Sequence, residues 1–442
     1  MRSLVGVFLF AGCGLVIGSE PMPQENQPCP DGRCTVGFRC NELQRCVSTV
    51  DAGPGGGSAA GGRAIAGGSA SGGLAGGSAG GAGGTAGGSS GGTAGGSSGG
   101  IAHDTWSPAA PMATARESHT ATLLMDGRVL VAGGANSATL DTYEIYNPVM
   151  NQWSAPQTLP DTVHYHTATR LPDGRVLLAG GISGSIPTDR ASVFNGTSWS
   201  SVGRMRTSRW GHQAVAMNDG GVIVVGGMTT ANGAHTNFVD FFIASDGGFE
   251  SRPNDSFPRA FLGIASLSTG EVLAFGGADT SDRVYSTRYS PLSNQWQNTG
   301  SLNSPRSALA WARISDQILA CGGFNNAGQT LTASCEVFNP VANGWDAGVQ
   351  SMSTARRHHT MTELTNGQVL LTGGATSLSD ATSSCELFNP STGQWTPARP
   401  LAVSRFQHTA TRLLDGRVLV VGGKTVPTAA GTVLNSVEIY TP

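Results

Sequence analysis

Five histidines, His119, His166, His212, His359 and His408, each stand seven residues ahead of an Asp-Gly or Asn-Gly pair. Arginines stand three residues ahead of that position at Arg116, Arg209, Arg259, Arg356 and Arg405, with Arg306 displaced by one; Leu262 and Ala308 fill the histidine place in those two odd units. Tyr165, Trp210, Phe261 and Phe406 lie beside them. Repeated imidazoles could ligate a metal, but a histidine that recurs with a repeat is better explained as a buried hydrogen-bonding group, and no metal or cofactor is assigned. Planar guanidinium forks among aromatic rings suit carboxylates, acidic peptides or sugars. The expected ligand-binding set is therefore Arg116, Arg209, Arg259, Arg306, Arg356, Arg405, Tyr165, Trp210 and Phe406, with no catalytic residue. The competing account makes the arginines a repeat feature that pairs with neighbouring units.

The elements that must position these side chains are written in a second periodicity. Gly-Gly doublets at 133, 180, 226, 276, 322, 373 and 422 recur every 46 to 51 residues by subtraction of those positions. A period of that length marks a propeller array. Each doublet follows a short apolar run such as Val129-Leu130-Val131-Ala132, and most runs follow a turn pair: Asp126-Gly127, Asp173-Gly174, Asp219-Gly220, Asn366-Gly367 or Asp415-Gly416. Such pairs predict a hairpin through a type I′ turn. Thr269-Gly270 is a weaker copy, and Ser315-Asp316 lacks glycine, so the fifth hairpin is expected to be the least regular. A third strand such as Tyr143-Glu144-Ile145-Tyr146, then Asn147-Pro148 and Trp153, completes a four-stranded unit.

The succession Arg-x-x-His, Asp-Gly-Arg-Val, Gly-Gly, Tyr-Asn-Pro and Trp resembles the kelch repeat in seven copies over residues 103–442, best from Arg116 to Trp153 and from Arg356 to Trp395. The third copy has Phe249 near the tryptophan place. The last copy stops at Val437-Glu438-Ile439-Tyr440-Thr441-Pro442, while an orphan Asp104-Thr105-Trp106 precedes the first, so the two ends are expected to complete one blade and remove an open edge. The predicted fold is all-β, a seven-bladed propeller closed by an N-terminal strand. In kelch adaptors, the resemblance implies, arginines at similar positions grip acidic ligands. Tyr165-His166-Thr167 also resembles the ligand-bearing strand of galactose oxidase, but that enzyme's cross-linked cysteine and tyrosine and its extra C-terminal histidine have no counterpart here. A kelch-type mutarotase would need a carboxylate beside an arginine, and Glu117 is the one candidate. Sialidase-type Ser-x-Asp-x-Gly-x-Thr-Trp turns are missing. Gly423-Lys424-Thr425 ends like a phosphate-binding loop, but Val418 occupies the place of its first glycine.

Residues 1–19, with Arg2 and the apolar stretch from Leu4 to Phe10, read as a secretory signal. Phe10-Ala11-Gly12-Cys13 resembles the bacterial lipobox, which makes Cys13 a lipidation candidate, and Gly14 after it resembles outer-membrane sorting; ordinary cleavage near Gly18 is the alternative. Residues 20–50 form a small polar module in which Cys29, Cys34, Cys40 and Cys46 are expected to make two disulfides of unassigned pairing, with a zinc site as the alternative that the absence of Cys-x-x-Cys spacing disfavours. Residues 51–102 are almost all Gly, Ser, Ala and Thr, a disordered tether with a span of roughly 40 Å. In the propeller, Cys321 and Cys335 fall on adjacent strands and could bridge, whereas Cys385 is a blade away.

Formal net charge is -3 and charged residues are 12% of the chain, without a block of like charges, which argues against nucleic acid. The sequence thus predicts a monomeric, non-catalytic propeller, exported as an outer-membrane lipoprotein or secreted, that binds an extracellular protein or glycan at its channel mouth. A sugar-active kelch-type enzyme is the alternative.

Overall fold

The computed structural model describes residues 38–40, 46–48, 104–231, 233–279, 284–325 and 328–442. Residues 38–40 pair antiparallel with 46–48, placing Cys40 opposite Cys46 in register. The expectations for the signal, Cys13, the cysteine bridges of residues 20–50 and the tether lie outside the described residues.

The described residues of 104–442 form seven antiparallel blades, six built from sequential strands and the seventh closed by a strand from the other end of the chain. Blade 1 runs Thr120–Leu123, Val129–Ala132, Thr142–Asn147 and Gln152–Trp153, with Gln157–Thr158 added beside the third strand. Blades 2 to 6 begin with Thr167–Arg170, Gln213–Ala216, Gly263–Ser266, Ala310–Ile314 and Thr360–Glu363. Blade 7 is Thr409–Arg412, Val418–Val421 and Val437–Thr441, and its outer strand is Thr105–Ala109 from the other end of the chain. The second strand of every blade is buried, apart from Gln317 at the start of the fifth, which is why it reads as an apolar run rather than an alternating one.

One cross-strand aromatic pair recurs in all seven blades. Tyr146 faces Trp153, Phe194 faces Trp199, and Tyr440 faces Trp106, with ring centroids 5.0–5.1 Å apart. In blade 3 Phe249 takes the tryptophan place opposite Phe242 at 5.1 Å, so the divergent unit keeps the contact. The indoles also tie blades together: Trp153 Nε1 donates to the Ala110 carbonyl at 2.7 Å and Trp106 Nε1 to the Arg399 carbonyl at 2.8 Å.

The Gly-Gly doublets are the seams between blades. The second glycine of each donates its N–H to a carbonyl of the next blade at 2.8–2.9 Å, ending with Gly423 on Arg116, which closes the circle. A Cβ on Gly422, at φ 60°, would lie 2.5 Å from that same carbonyl. No other residue fits so close an approach of two backbones.

Two local expectations are corrected. In the first hairpin Leu124 and Arg128 are joined by a 2.8 Å hydrogen bond, Gly127 donates to Leu124, and of Asp126 and Gly127 only the glycine has positive φ. These are type I turns closed by a glycine bulge rather than type I′ turns. The fifth hairpin is regular but one residue tighter, since Ile314 pairs with Gln317 directly across Ser315-Asp316. Its shortness made Arg306 look displaced. In register, Leu309 holds the histidine place and Arg306 stands three residues before it, as in the other blades.

Candidate functional site at the channel mouth

All six arginines of the expected ligand-binding set are fully buried, so that part of the expectation is corrected. Each guanidinium turns away from the mouth into its own blade. Arg116 donates to the carbonyls of Gly133 and Thr142 at 2.6 and 3.0 Å and pairs with Glu144 at 2.9 Å. Arg209, Arg306, Arg356 and Arg405 repeat this with Asp240, Glu336, Glu386 and Glu438 at 2.5–3.0 Å. The carboxylates also hold the incoming chain: Glu144 accepts the N–H groups of Ala113 and Thr114 at 2.7 and 3.1 Å.

Two blades show that the pair is kept or lost as a unit. Blade 4 has Thr287 at the acid position, and Asp255 supplies the carboxylate from four residues upstream, 2.6 Å from Arg259. Blade 2 has neither charge; Val163 and Ser192, both buried, stand in the two places. A ligand-gripping arginine would not need its acid to vanish with it, whereas a buried ion pair does, because one charge alone is strongly destabilising.

The histidines sit in the seams. His119 contacts Thr409 at 3.0 Å, His166 contacts Thr120 at 2.9 Å, His212 contacts Thr167 and His408 contacts Thr360 at 3.2 Å, each from ring nitrogen to the hydroxyl of the preceding blade's inner strand. Burial lowers the pKa of His166, His212 and His408 to about 3. Their unfolded pKa is about 6.5, so the stabilisation is whole above pH 6.5 and is lost as pH falls toward 3. The unfolding free energy from urea titration is expected to drop between pH 7 and pH 4.5, by up to about 1.4 kcal/mol per pH unit for each histidine. The pair His166→Leu and Thr120→Val, with leucine as in Leu262 and Leu309, should flatten that slope; an unchanged profile would show that other groups set it.

The mouth itself is built by residues that sequence periodicity passes over. Ser118, Tyr165, Gly211, Phe261, Ala308, His358 and Gln407, one from each blade, lie between the arginine and histidine positions and all have φ between 51° and 62°. Each donates its N–H to the carbonyl of its counterpart in the preceding blade at 2.9–3.3 Å, from Tyr165 on Ser118 round to Ser118 on Gln407. The seven hydrogen bonds form a closed ring around the axis. Just before each ring residue stand Glu117, His164, Trp210, Ala260, Ser307, Arg357 and Phe406, every one bridged to the residue that follows the doublet, such as Glu117 with Ala135 and Phe406 with Lys424.

This second circle carries the chemistry of the mouth. Tyr165 stacks on Trp210 at 5.4 Å, and Phe261 meets Trp210 edge-on at 5.8 Å. Of the expected aromatics, Tyr165 is partly exposed, whereas Trp210 and Phe406 are buried beside the ring, at 5% and 1% exposure. Glu117 lies 3.9 Å from Lys424, and burial raises its pKa against that ammonium. His164 accepts or donates at Thr139 Oγ1, 3.1 Å away, and burial lowers its pKa to about 4. Across the mouth Arg357 lies over Phe324, 4.9 Å from the ring centroid. Sequence reasoning missed Arg357, Glu117 aside from one conjecture, and Lys424, because they occupy a position with no repeating residue; that lack of repetition between two periodic positions was the available signal.

The expected choice between a bridge and two thiols in blade 5 is decided: Cys321 and Cys335 face each other in register and form a disulfide. Cys385 is a free, buried thiol whose pKa burial pushes up to about 12.

Residues 353–440 match the family described as the β-propeller of tRNA wybutosine-synthesizing protein 4. Spermatocyte protein spe-26 of Caenorhabditis elegans is 29% identical over 168 residues, 36% of this chain and 28% of that protein. Beta-scruin of Limulus polyphemus is 27% identical over 247 residues, 53% of this chain and 22% of that protein. The chain thus spans under a third of either relative's length. A solved structure described as a novel fungal alcohol oxidase of the AA5 family, in complex with copper, aligns with a TM-score of 0.63 at 17% identity, over 77% of this chain and 76% of that one. At that identity the likeness shows the fold. The residues here do not fit a copper centre of that kind: His166 is engaged by Thr120 inside the seam, and among the described residues no three His, Cys, Asp or Glu side chains converge. Repeat, ring closure and relatives together support one reading of the fold: the described residues form a seven-bladed β-propeller similar to those of kelch type.

Proposed function

We propose that the propeller is a non-catalytic recognition module that takes a glycan or protein ligand at the mouth surrounding the hydrogen-bonded ring. The observation that carries this reading is the aromatic and cationic composition of the ring together with the residues packed directly against it. It sets Tyr165, Trp210 and Phe261 in mutual contact on one side and Arg357 over Phe324 on the other. Aromatic planes and a cation on a rigid backbone frame suit binding, and the isolated Glu117–Lys424 contact supplies no second acid for a two-carboxylate mechanism. We extend the same reading to location: the chain is exported and held by acylated Cys13 or released, with residues 51–102 as tether.

The test is a glycan array probed with the full chain and with Trp210→Ala. A saturable ligand whose affinity falls at least about tenfold in the variant, with cooperative unfolding retained although loss of the buried indole lowers the thermal midpoint, supports the mouth as the site. Equal capture by the variant would move recognition to another surface. A sugar consumed or isomerised in the same assay would establish the enzymatic alternative.

A further inference from the structure

Within each blade the first and third strands run in the same direction. The turns between strands one and two and between strands three and four therefore lie together at one end of the ring, and the hydrogen-bonded mouth lies at the other. The turn end collects exposed apolar side chains. Among the described residues, Met125, Val149, Met150, Leu292, Val341 and Leu414 are large, hydrophobic and exposed there, against Ile186, Tyr285 and Leu378 toward the mouth.

The fold does not ask for them. Val149, Leu292 and Val341 each follow a proline at the same place in the outer turns of blades 1, 4 and 5, and are 93%, 100% and 94% exposed. The turn is completed by its backbone: the N–H groups of Val149 and Val341 donate to the Asn147 and Asn339 side chains at 3.0 and 2.9 Å. Blade 6 builds the same turn with Ser391, which donates to Asn389 at 2.9 Å. Aliphatic side chains left in water where serine suffices, and gathered at one end, mark an interaction surface.

Their placement selects the partner. Leu414 and Met125, in the inner turns of blades 7 and 1, reach over the next blade's glycine, where a Cβ on Gly127 or Gly174 would fall 3.0 or 2.7 Å from them. With Val149 and Met150 they occupy one side of the ring, and Leu292 and Val341 in blades 4 and 5 occupy the opposite side. A partner that meets both sides is flat and as wide as the ring, which describes a bilayer and not a peptide. The chain also enters the ring at this end, since Thr105 pairs with Thr441, the last residue of its blade's third strand. Charge gives no pull toward anionic lipid. Asp126, Asp173 and Asp415 in these turns are matched by Arg128, Arg175 and Arg417 at 2.7 Å, while Asp219, Asp246 and Asp316 have no arginine after them.

We propose that the turn end of the ring docks on a lipid bilayer, its aliphatic turn residues entering the interfacial layer and the mouth facing outward. The contact is shallow and apolar. It supplies a second membrane signal beside acylation at Cys13, which matters because a tethered ring meets the bilayer at high effective concentration.

The experiment floats the chain from residue 20 onward, which lacks both the signal and Cys13, with phosphatidylcholine vesicles. Flotation is expected to saturate with lipid and to be unchanged by added salt. Val149→Ser, Leu292→Ser and Val341→Ser together should lower the partition coefficient about tenfold or more, while Ile186→Ser with Leu378→Ser, toward the mouth, should float like the parent. Thermal midpoints of both variants should match the parent, because the replaced side chains are exposed. Absence of flotation, an unchanged triple variant, or an equal loss in the mouth-end variant overturns the proposal. Flotation that requires anionic lipid and disappears in salt overturns it in favour of charge. Self-association without lipid that the triple variant abolishes overturns it too, and assigns the face to a second copy of the chain. The recognition reading is decided separately by the glycan array.

Discussion

Replacing Glu386 with leucine is expected to lower the unfolding free energy by about 3–5 kcal/mol, because it leaves Arg356 charged and buried with no anion. Arg356→Val should cost a comparable amount by stranding Glu386, which would retain only the Ser353 N–H at 2.9 Å. The informative variant is the double, Arg356→Val with Glu386→Ser, which copies the Val163 and Ser192 that blade 2 already carries. It should recover most of either single loss, since no charge remains in the apolar seam. Urea unfolding at pH 7 measures all three. Additive losses in the double variant would mean that the two side chains act independently, and the account of a paired unit would fail. The same comparison bears on function. Changing Arg116, Arg209 and Arg356 of the expected ligand-binding set together to alanine is expected to unfold the ring by stranding Glu144, Asp240 and Glu386.

Deleting the chain through Ala109 is expected to have a larger effect still. Thr105–Ala109 pairs along its whole length with Val437–Thr441, Trp106 covers Tyr440 at 5.1 Å, and Tyr440 donates to Asp104 at 2.7 Å. Its removal uncovers a paired strand on both its hydrogen-bonding and its aromatic side. Burial of a tryptophan and a tyrosine together involves several hundred Å² at about 25 cal/mol/Å², before the lost ladder is considered. The truncated protein should lose cooperative unfolding and elute as aggregates, as an unpaired hydrophobic edge does. Trp106→Ala, which keeps the strand, should cost about 3–5 kcal/mol and stay monomeric. A truncated chain that remains a monomer with a single sharp transition would show that the ring does not depend on this closure.

Most of the architecture was legible because each blade spells its own devices. The Asp-Gly turns, the doublets and the tryptophans fixed seven units, and the unmatched Trp106 and Val437–Thr441 fixed where the ends meet. The turn type was not legible, since Asp-Gly is compatible with both a two-residue turn and a glycine bulge, and only backbone angles separate them. Nor was the direction of the arginines. Spacing places them at the entry to the inner strand, but each partner acid lies 28 to 33 residues downstream or, for Arg259, four upstream. A positive charge viewed without that partner looks like a binding residue. Arg357 escaped notice for the opposite reason, standing next to a periodic arginine and sharing none of its surroundings.

The seven-membered hydrogen-bonded ring separates the size of the opening from its chemistry. The circle is closed by backbone hydrogen bonds alone, so it does not depend on which side chains Ser118, Tyr165, Phe261, Ala308, His358 and Gln407 carry. The left-handed conformation excludes branching at Cβ, and none of the seven is Val, Ile or Thr. Within that restriction a hydroxyl, a phenol, an imidazole, an amide and bare backbone all occupy equivalent places. One backbone frame thus carries seven different side chains at equivalent places, most of them buried against their neighbours.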